Sequence, residues 1–365
     1  MILETVVEKI LYAFENAGRI TAKNPSLPAL ANVLFLVKNN TAKIRSTNLS
    51  IGIEFDLPVK SESNGVVALD SKTICNFLNS LPKNEKIKIS LSGTALTLTT
   101  KNNTTTIKTY PYEDFPTLPT VTGEEIEFPR NSFITGVKSV SFAAALSDIK
   151  PEIASICLIS DKNTVYFVAT DSFRLAEKKE ELKKQIDFPQ ILIPSKNMVE
   201  IVRVLEGKND TIKIIIGENQ IACITDGVYI TSKIISGSFP DYKQIIPKNF
   251  STEVVVLKQD LINMIKSANV FSDKFNQINL TVATKKKKIE CSAKNPDIGE
   301  YTGVIEGTIH GDDVSVSFNY TYLLDCLNSI SQDSVVLGMN GSTKAIVVRG
   351  VSNGSFTYLL QPMNR

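Results

Sequence analysis

The sequence predicts an α+β protein made of three tandem copies of one domain, each with two helices packed on antiparallel sheet. Three observations carry that prediction. Helix-like segments with apolar residues at i, i+3, i+4 and i+7 begin at Ile74, Met198 and Leu323, offsets of 124 and 125 positions. Each is followed by a β-branched run: KIKISL from Lys86, TIKIII from Thr211 and SVVLGM from Ser334. Two Phe-Pro steps, Phe115-Pro116 and Phe239-Pro240, stand 124 positions apart, and each opens a proline-containing passage. The 365 residues divide into thirds of about 122, an ordinary domain size and too long a period for a solenoid.

The elements follow in order. Val7-Ile10-Leu11-Phe14 and Ile74-Phe77-Leu78-Leu81 each place one apolar stripe on a helix face, which marks the two helices of the first copy. Between and after them, SIGIEFDL from Ser50 and TALTLTTKNNTTTIKTY from Thr94 alternate at period two, as strands with one buried face do. The passage PTLPTVTG discourages both helix and ladder pairing, so it reads as a linker. The second copy repeats the scheme with Phe133-Val137-Val140, TVYFVAT from Thr164, and Met198-Ile201-Val202-Leu205. PDYKQIIPKN is the second linker, and Leu261-Met264-Ile265-Ala268 with Leu323-Cys326-Leu327-Ile330 supply the last two helices. The domains are expected at 1–118, 119–246 and 247–365. The run Lys285-Lys286-Lys287-Lys288 falls between TVAT and IECSA and reads as a solvated hairpin turn, not a nucleic-acid patch.

Composition removes several classes. With 42% hydrophobic and 21% charged residues the chain is globular and can bury a large core. Forty Lys and Arg against 38 Asp and Glu leave +2, so any nucleic-acid contact must come from local clustering of charge. No apolar run reaches the length of a membrane span, and MILETVVEKILYAFENAG has neither the basic start nor the cleavage site of a signal peptide. Five widely spaced cysteines without a C-x-x-C pair point to reduced thiols in a cytoplasmic protein, with no metal or cofactor expected. A single histidine, His310, expected in a turn, leaves no base for His-dependent catalysis. No nucleophile–base pair and no glycine-rich phosphate loop is present, so no catalytic residue is assigned and no enzyme activity is expected.

Cations recur on the polar sides of the helices. Lys72, Lys196 and Arg203 lie on the second helices, Lys9, Lys138, Lys258 and Lys266 on the first ones, with Arg19, Lys23 and Lys150 expected in loops. On one helix such lysines mean solvation. Repeated on three like domains they describe a basic surface able to hold phosphates without reading bases. The competing reading is a multidomain protein-interaction scaffold with no DNA role, whose lysines serve solubility.

Val168-Ala169-Thr170-Asp171-Ser172-Phe173-Arg174-Leu175-Ala176 resembles the ATDGHRLA signature of the bacterial DNA polymerase III beta subunit, the sliding-clamp family. Asn24-Pro25-Ser26-Leu27-Pro28, Ser238-Phe239-Pro240-Asp241-Tyr242, Ile246-Pro247-Lys248-Asn249, Phe318-Asn319 with Tyr322, and the terminus Tyr358-Leu359-Leu360-Gln361-Pro362-Met363-Asn364-Arg365 are similar to the same family. The resemblance implies a homodimeric ring of six like domains around double-stranded DNA, this chain supplying half. It implies a processivity factor that tethers the replicative DNA polymerase, without catalysis.

By position, the resemblance assigns DNA contact to Lys23, Asn24, Lys72, Lys150, Lys196 and Arg203; Asn24 stands where the family commonly has Arg, and Ser147 where a larger polar residue is frequent. It assigns a peptide pocket for polymerases, the clamp loader and repair proteins to Ile153, Thr170, Ser172, Phe173, Arg174, Leu175, Pro240, Gln244, Ile245, Leu359, Gln361, Pro362 and Met363. Phe173 replaces the family's usual His, Gln361 an apolar residue, and Asn364 is inserted before Arg365. Read without the family, Leu175, Ile245 and Leu359 would simply cap the core between the second and third domains. Dimer contacts are implied at Ile107, Val270 and Phe275, with Thr105 where an apolar aromatic is often found. Asp171 and Arg174 are expected to form a structural ion pair, and Cys326 to be a small core residue.

Overall fold

A computed structural model describes every residue except Asn24, Pro25, Lys208, Asn209, Asn364 and Arg365. The expected contact at Asn24, the start of the Asn24-Pro25 motif and the last two residues of the chain therefore lie outside the described residues. The chain forms two compact units, Met1–Asn131 with Lys196–Ile234, and Ser132–Ser195 with the chain from Ile235 onward. Among the described residues there are six α-helices: α1 Val7–Ile20, α2 Ser71–Asn79, α3 Arg130–Val140, α4 Ser195–Leu205, α5 Lys258–Asn269 and α6 Tyr320–Ser329. They coincide with the six apolar stripes read from the sequence. The starts of α2, α4 and α6, at 71, 195 and 320, keep the spacing of 124 and 125.

The first unit holds two antiparallel sheets. One has five strands in the order Lys60–Ser63, Ile2–Val6, Lys86–Ser92, Ala95–Thr99, Thr104–Lys108. The other has eight, in which Glu124–Pro129, Thr211–Ile216, Gln220–Thr225 and Val228–Lys233 continue into Ile51–Pro58, Thr41–Thr47, Val33–Lys38 and Gly65–Leu69. The join pairs Val228–Lys233 with Ile51–Pro58, so strands of two successive repeats share one ladder. Ile10, Leu11, Phe14 and Ala17 turn α1 onto α2 and onto this sheet, where the Phe14 ring meets Phe35 edge-on at 5.5 Å. Asp70 caps α2 by accepting from the Thr73 amide at 2.8 Å.

The second unit repeats the device. Its nine-stranded sheet runs Ile191–Pro194, Ser155–Asp161, Thr164–Thr170, Arg174–Glu181, then Phe356–Leu360, Ile346–Gly350, Ser334–Met339, Thr252–Leu257 and Thr308–Gly311. The join pairs Arg174 with Leu360 and Leu175 with Leu359. A four-stranded sheet, Gly299–Glu306, Lys288–Asn295, Gln277–Ala283 and Val314–Asn319, packs against α5. On α3, Gly136 lets the helix lie on the Phe167 ring; a Cβ there would sit 2.5 Å from two ring carbons.

Several expectations need correction. His310 is not in a turn but in the strand Thr308–Gly311, exposed and opposite Glu253. Arg19 belongs to the last turn of α1, where a cation suits the negative end of the helix, and not to a loop. Lys258 does not project from a free helix face: its Nζ donates to the Ile330 carbonyl at 2.7 Å, closing the C-terminus of α6. Lys285 to Lys287 do form the exposed turn expected of them, and Lys288 opens the next strand. The five cysteines are unpaired; Cys326 is fully buried in the core, and burial pushes the Cys157, Cys223 and Cys291 thiols up to about 12.

Candidate functional site

Five of the expected pocket residues, Thr170, Ser172, Phe173, Arg174 and Leu175, lie at or beside one tight turn of the second unit. Thr170 ends a strand and Arg174 begins the next, and the four peptide steps between them are fixed by side chains. Thr170 Oγ1 donates to the Arg174 carbonyl at 2.6 Å and accepts from the Ser172 amide at 3.2 Å. Asp171 Oδ1 accepts from the amides of Phe173 at 2.9 Å and Arg174 at 3.0 Å. Ser172 takes φ of 79°, a left-handed conformation that costs a side chain about 1–2 kcal/mol. The result pushes Phe173 outward, 62% exposed.

Arg174 does the opposite. Its side chain is 9% exposed, its Nε donates to Asp171 at 2.9 Å and its Nη1 to Asp325 on α6 at 2.7 Å. The expected Asp171–Arg174 ion pair is thus present. The guanidinium also stacks 4.2 Å from the Tyr322 ring centroid and 5.6 Å from that of Phe142. Burial alone would lower its proton affinity; the hydrogen bond to Asp325, with Tyr358 and Asp171 beside it, raises it above the ordinary arginine value.

Beneath the turn lies an apolar cluster of Cys157, Val168, Leu175, Leu192, Phe239, Tyr242, Val347 and Leu359, with Ile246 packed on it. Leu175 and Leu359 are therefore floor residues, 3% and 2% exposed. Tyr242 anchors the linker by donating its hydroxyl to the buried Glu177 carboxylate at 2.7 Å; burial, then that carboxylate, drives its pKa far above the usual phenol range. On either side of this anchor Pro240, Gln244 and Ile245 stand exposed, with Gln244 donating to Asp241 at 2.6 Å. The chain end completes the arrangement. The Gln361 amide donates to the Phe173 carbonyl at 2.9 Å and the Met363 amide to the Ser317 carbonyl at 2.8 Å, leaving Gln361 exposed and Pro362 and Met363 half-buried. Ile153 lies in another turn, half-buried, its amide donating to the Lys150 carbonyl and its own carbonyl accepting from the Ala145 amide.

The expected phosphate-binding cations are all exposed. Lys23, Lys72, Lys196 and Arg203 belong to the first unit and Lys150 to the second. Lys72 and Lys196 hold the second position of α2 and α4, where the helix N-terminus adds to their positive potential; Thr321 takes that place in α6. Arg203 is paired with Glu200 one turn back, an exposed ion pair that holds it only loosely. Of the residues expected at a dimer contact, Val270 and Phe275 are 61% and 58% exposed, whereas Ile107 points into the core at 6%. Its strand, Thr104–Lys108, is the last in its sheet, as Gly299–Glu306 is in another. Phe271 stacks on Tyr301 at 6.4 Å and so sets the 270–275 segment beside that second edge.

Three family models match the chain in succession: the N-terminal domain of the DNA polymerase III beta subunit over residues 1–119, its central domain over 127–241 and its C-terminal domain over 243–364. The chain belongs to the DNA polymerase III beta-subunit family. The relatives agree over almost the whole length. The beta sliding clamp of Proteus mirabilis is 25% identical over 361 residues, 98% of either chain, and that of Pseudomonas putida 26% over 360, again 98% of either. Among solved structures, the DNA polymerase III beta subunits of Pseudomonas aeruginosa and Thermotoga maritima share the fold with TM-scores of 0.93 and 0.94 at 24% identity. Both alignments cover 100% of this chain, and 100% and 99% of the other. A further Pseudomonas aeruginosa structure, TM-score 0.94, is of the clamp bound to griselimycin.

Within this beta-subunit fold, sequence reasoning overlooked Asp325, Phe142 and Tyr242 as parts of the site. Asp325 follows Tyr322 by three positions on α6, the spacing that puts two side chains on one helix face. That spacing was the available signal, because Tyr322 already stood in a family-like segment.

Proposed function

We propose that the protein is a non-catalytic processivity clamp of the bacterial cytoplasm: two copies close into a ring around duplex DNA, and the ring tethers the replicative polymerase. The succession of three beta-subunit domains along the whole chain carries this reading. A ring that slides needs phosphate attraction that is weak, smeared and blind to bases. Exposed Lys23, Lys72, Lys150, Lys196 and Arg203 suit that need, and ring closure replaces affinity as the source of residence time. The edge strand Thr104–Lys108 of one copy would pair with Gly299–Glu306 of the other, beside Val270 and Phe275. With Thr105 offering little apolar contact, the backbone ladder would carry much of this interface.

The turn at Thr170–Arg174, the linker residues Pro240, Gln244 and Ile245, and Leu359, Gln361, Pro362 and Met363 form the peptide pocket in this reading, with Ile153 at its margin. Polymerase, clamp loader and repair-protein peptides would dock there in turn. Phe173 and Gln361 set its preference, an exposed ring beside a polar amide where the family more often has His and an apolar side chain.

Protein loaded on circular duplex DNA should stay bound and fall off when the circle is cut. Light scattering should give a dimer of two 40.1 kDa chains. With about five phosphates engaged, the log–log salt slope of binding should be about −4 to −5. Changing Lys72, Lys196 and Arg203 to Glu should weaken direct DNA binding and flatten its salt dependence. If the parent is not retained on circles at all and the Glu variants leave partner binding untouched, the scaffold reading is correct instead. Deleting Pro362 to Arg365 should abolish polymerase-peptide binding with the dimer intact.

A further inference from the structure

Arg174 counts among the pocket residues, yet its charged end is not offered to a ligand. The side chain is nine-tenths buried, both edges of the guanidinium donate to carboxylates, and aromatic rings of Tyr322 and Phe142 lie against it. Turning it outward to meet a peptide would strip Asp171, itself 13% exposed, of its cation and empty the space between two rings. The group instead joins three elements: the Thr170–Arg174 turn, helix α6 through Tyr322 and Asp325, and the short 3₁₀ turn Ser141–Ala143 through Phe142. Tyr358 reinforces the join, its hydroxyl donating to the Tyr322 carbonyl at 2.8 Å and its ring lying 5.8 Å from Phe142.

The turn hangs from this join. The backbone that Arg174 anchors also holds Phe173, whose carbonyl accepts from Gln361 and so registers the chain end. We infer that Arg174 is a tie and not a peptide contact, and that Asp325 is a positioning residue: from α6 it holds the guanidinium, and through it the turn and the rim formed by Phe173 and Gln361, in the shape that receives a peptide. Asp325 suits the role because its carboxylate is 44% exposed, so it can be altered without opening the core. The inference rests on the peptide-pocket reading and adds a residue on a helix that the pocket itself does not include.

The full-length dimer is the material for the test, and the probe is a fluorescein-labelled peptide from the clamp-binding segment of the same organism's replicative polymerase. The chain has no tryptophan, so Phe173→Trp supplies a single reporter on the turn. Asp325→Ala and Asp325→Asn should each weaken the peptide about tenfold, while Asp325→Glu restores most of the affinity. In the unliganded Phe173→Trp protein, the indole fluorescence should lose anisotropy when Asp325→Ala is added and regain it with Asp325→Glu, a change that general destabilisation without loss of the tie would not produce. Arg174→Lys keeps the charge but not the fork; it should match Asp325→Ala, and the double variant should be no worse than either. Met363→Ala separates the two levels of the argument. If it abolishes binding while Asp325→Ala changes neither affinity nor anisotropy, the tie is wrong and the pocket stands. If Arg174→Lys abolishes binding while Asp325→Ala does not, Arg174 meets the peptide directly and the inference falls. If Met363→Ala also leaves binding intact, the pocket reading itself fails.

Discussion

The first unit contains a second copy of the turn just described. Thr47 Oγ1 donates to the Ile51 carbonyl at 2.9 Å and accepts from the Leu49 amide at 3.0 Å; Asn48 Oδ1 accepts from the amides of Ser50 at 2.9 Å and Ile51 at 3.0 Å. Residue for residue this is the scheme of Thr170 to Arg174, 123 positions later, and the third residue is left-handed in both, φ of 70° at Leu49 and 79° at Ser172. Each turn leads into the strand through which one repeat joins its sheet to the next. The hydrogen-bond scheme is therefore a property of the repeated fold and carries no function by itself. What differs is chemistry at equivalent places: Asn48 for Asp171, Ile51 for Arg174, Gly52 for Leu175. The first turn has no charge to tie. Its glycine leaves room for Leu118 of the first linker, whose Cδ2 lies where a Cβ would clash at 2.4 Å. In the second, Leu175 itself fills the floor and the linker is held by Tyr242 and Glu177.

Exchanging the floor residues should break the comparison most forcefully. Leu175→Gly removes a side chain that is 3% exposed and should cost about 3–5 kcal/mol, from lost burial and the cavity left behind. Gly52→Leu drives a side chain into Leu118 and Thr231 and should cost about 1–3 kcal/mol through overpacking. Both read as a lower midpoint in thermal unfolding of the full chain. A Gly52→Leu variant that unfolds like the parent would mean that the first groove is plastic and the difference between the two turns is not built into packing.

What could be read beforehand divides along the same line. The apolar stripes of all six helices were legible because burial imposes a 3.6-residue period on side chains, and the 124–125 offset survived since each copy needs its helix at the same place. The shared ladders were not legible. Val228–Lys233 pairing with Ile51–Pro58, and Arg174–Glu181 with Phe356–Leu360, is backbone chemistry between distant segments, so no local pattern announces it, nor the division into two units that results. The tie was hidden for a similar reason. Asp325 is 151 positions from Arg174 and sits on the polar side of α6, where a carboxylate ordinarily means solvation. Phe173 at the exposed tip of the turn and Leu175 in its floor, two positions apart, look alike in composition; only the left-handed step at Ser172 and the alternation of the following strand separate them.

Strand position gives a subtler contrast. Glu54 and Glu177 are equivalent, each in the strand after its turn, but one is held by cations and the other by a phenol. Glu54 accepts from Lys43 Nζ and from Arg45, and although burial would raise its pKa, these partners bring it below the ordinary carboxylate value. A depressed folded-state pKa gives stability that is present above the unfolded value and lost as pH falls through the folded one. Stability of wild type should therefore drop below about pH 4.5, and Glu54→Gln should flatten that acid limb. Tyr242 has the opposite sign: its raised pKa favours the folded state with the phenol neutral, fully below pH 10 and progressively less above it. Tyr242→Phe should therefore lower stability below about pH 10 and flatten the alkaline limb. Unfolding midpoints across the pH range check both, and limbs that respond to neither variant would show that the two carboxylates are energetically interchangeable.

The smallest effect tests what the turns have in common. Leu49 and Ser172 both occupy a conformation that costs a non-glycine residue about 1–2 kcal/mol, while glycine adds unfolded-chain entropy worth about 0.4–1 kcal/mol. The balance predicts that Leu49→Gly and Ser172→Gly each stabilise by about 0.5 kcal/mol, seen as a small rise in denaturant midpoint with unchanged slope. Equal gains would confirm that strain belongs to the shared scheme. If Ser172→Gly gains as predicted but also weakens peptide binding, the left-handed serine restrains Phe173 beyond what its hydrogen bonds supply, and the second turn is tuned in its backbone as well as its side chains. If Leu49→Gly destabilises instead, the half-exposed Leu49 side chain packs usefully along the first groove, and the turns differ at a position where they otherwise match.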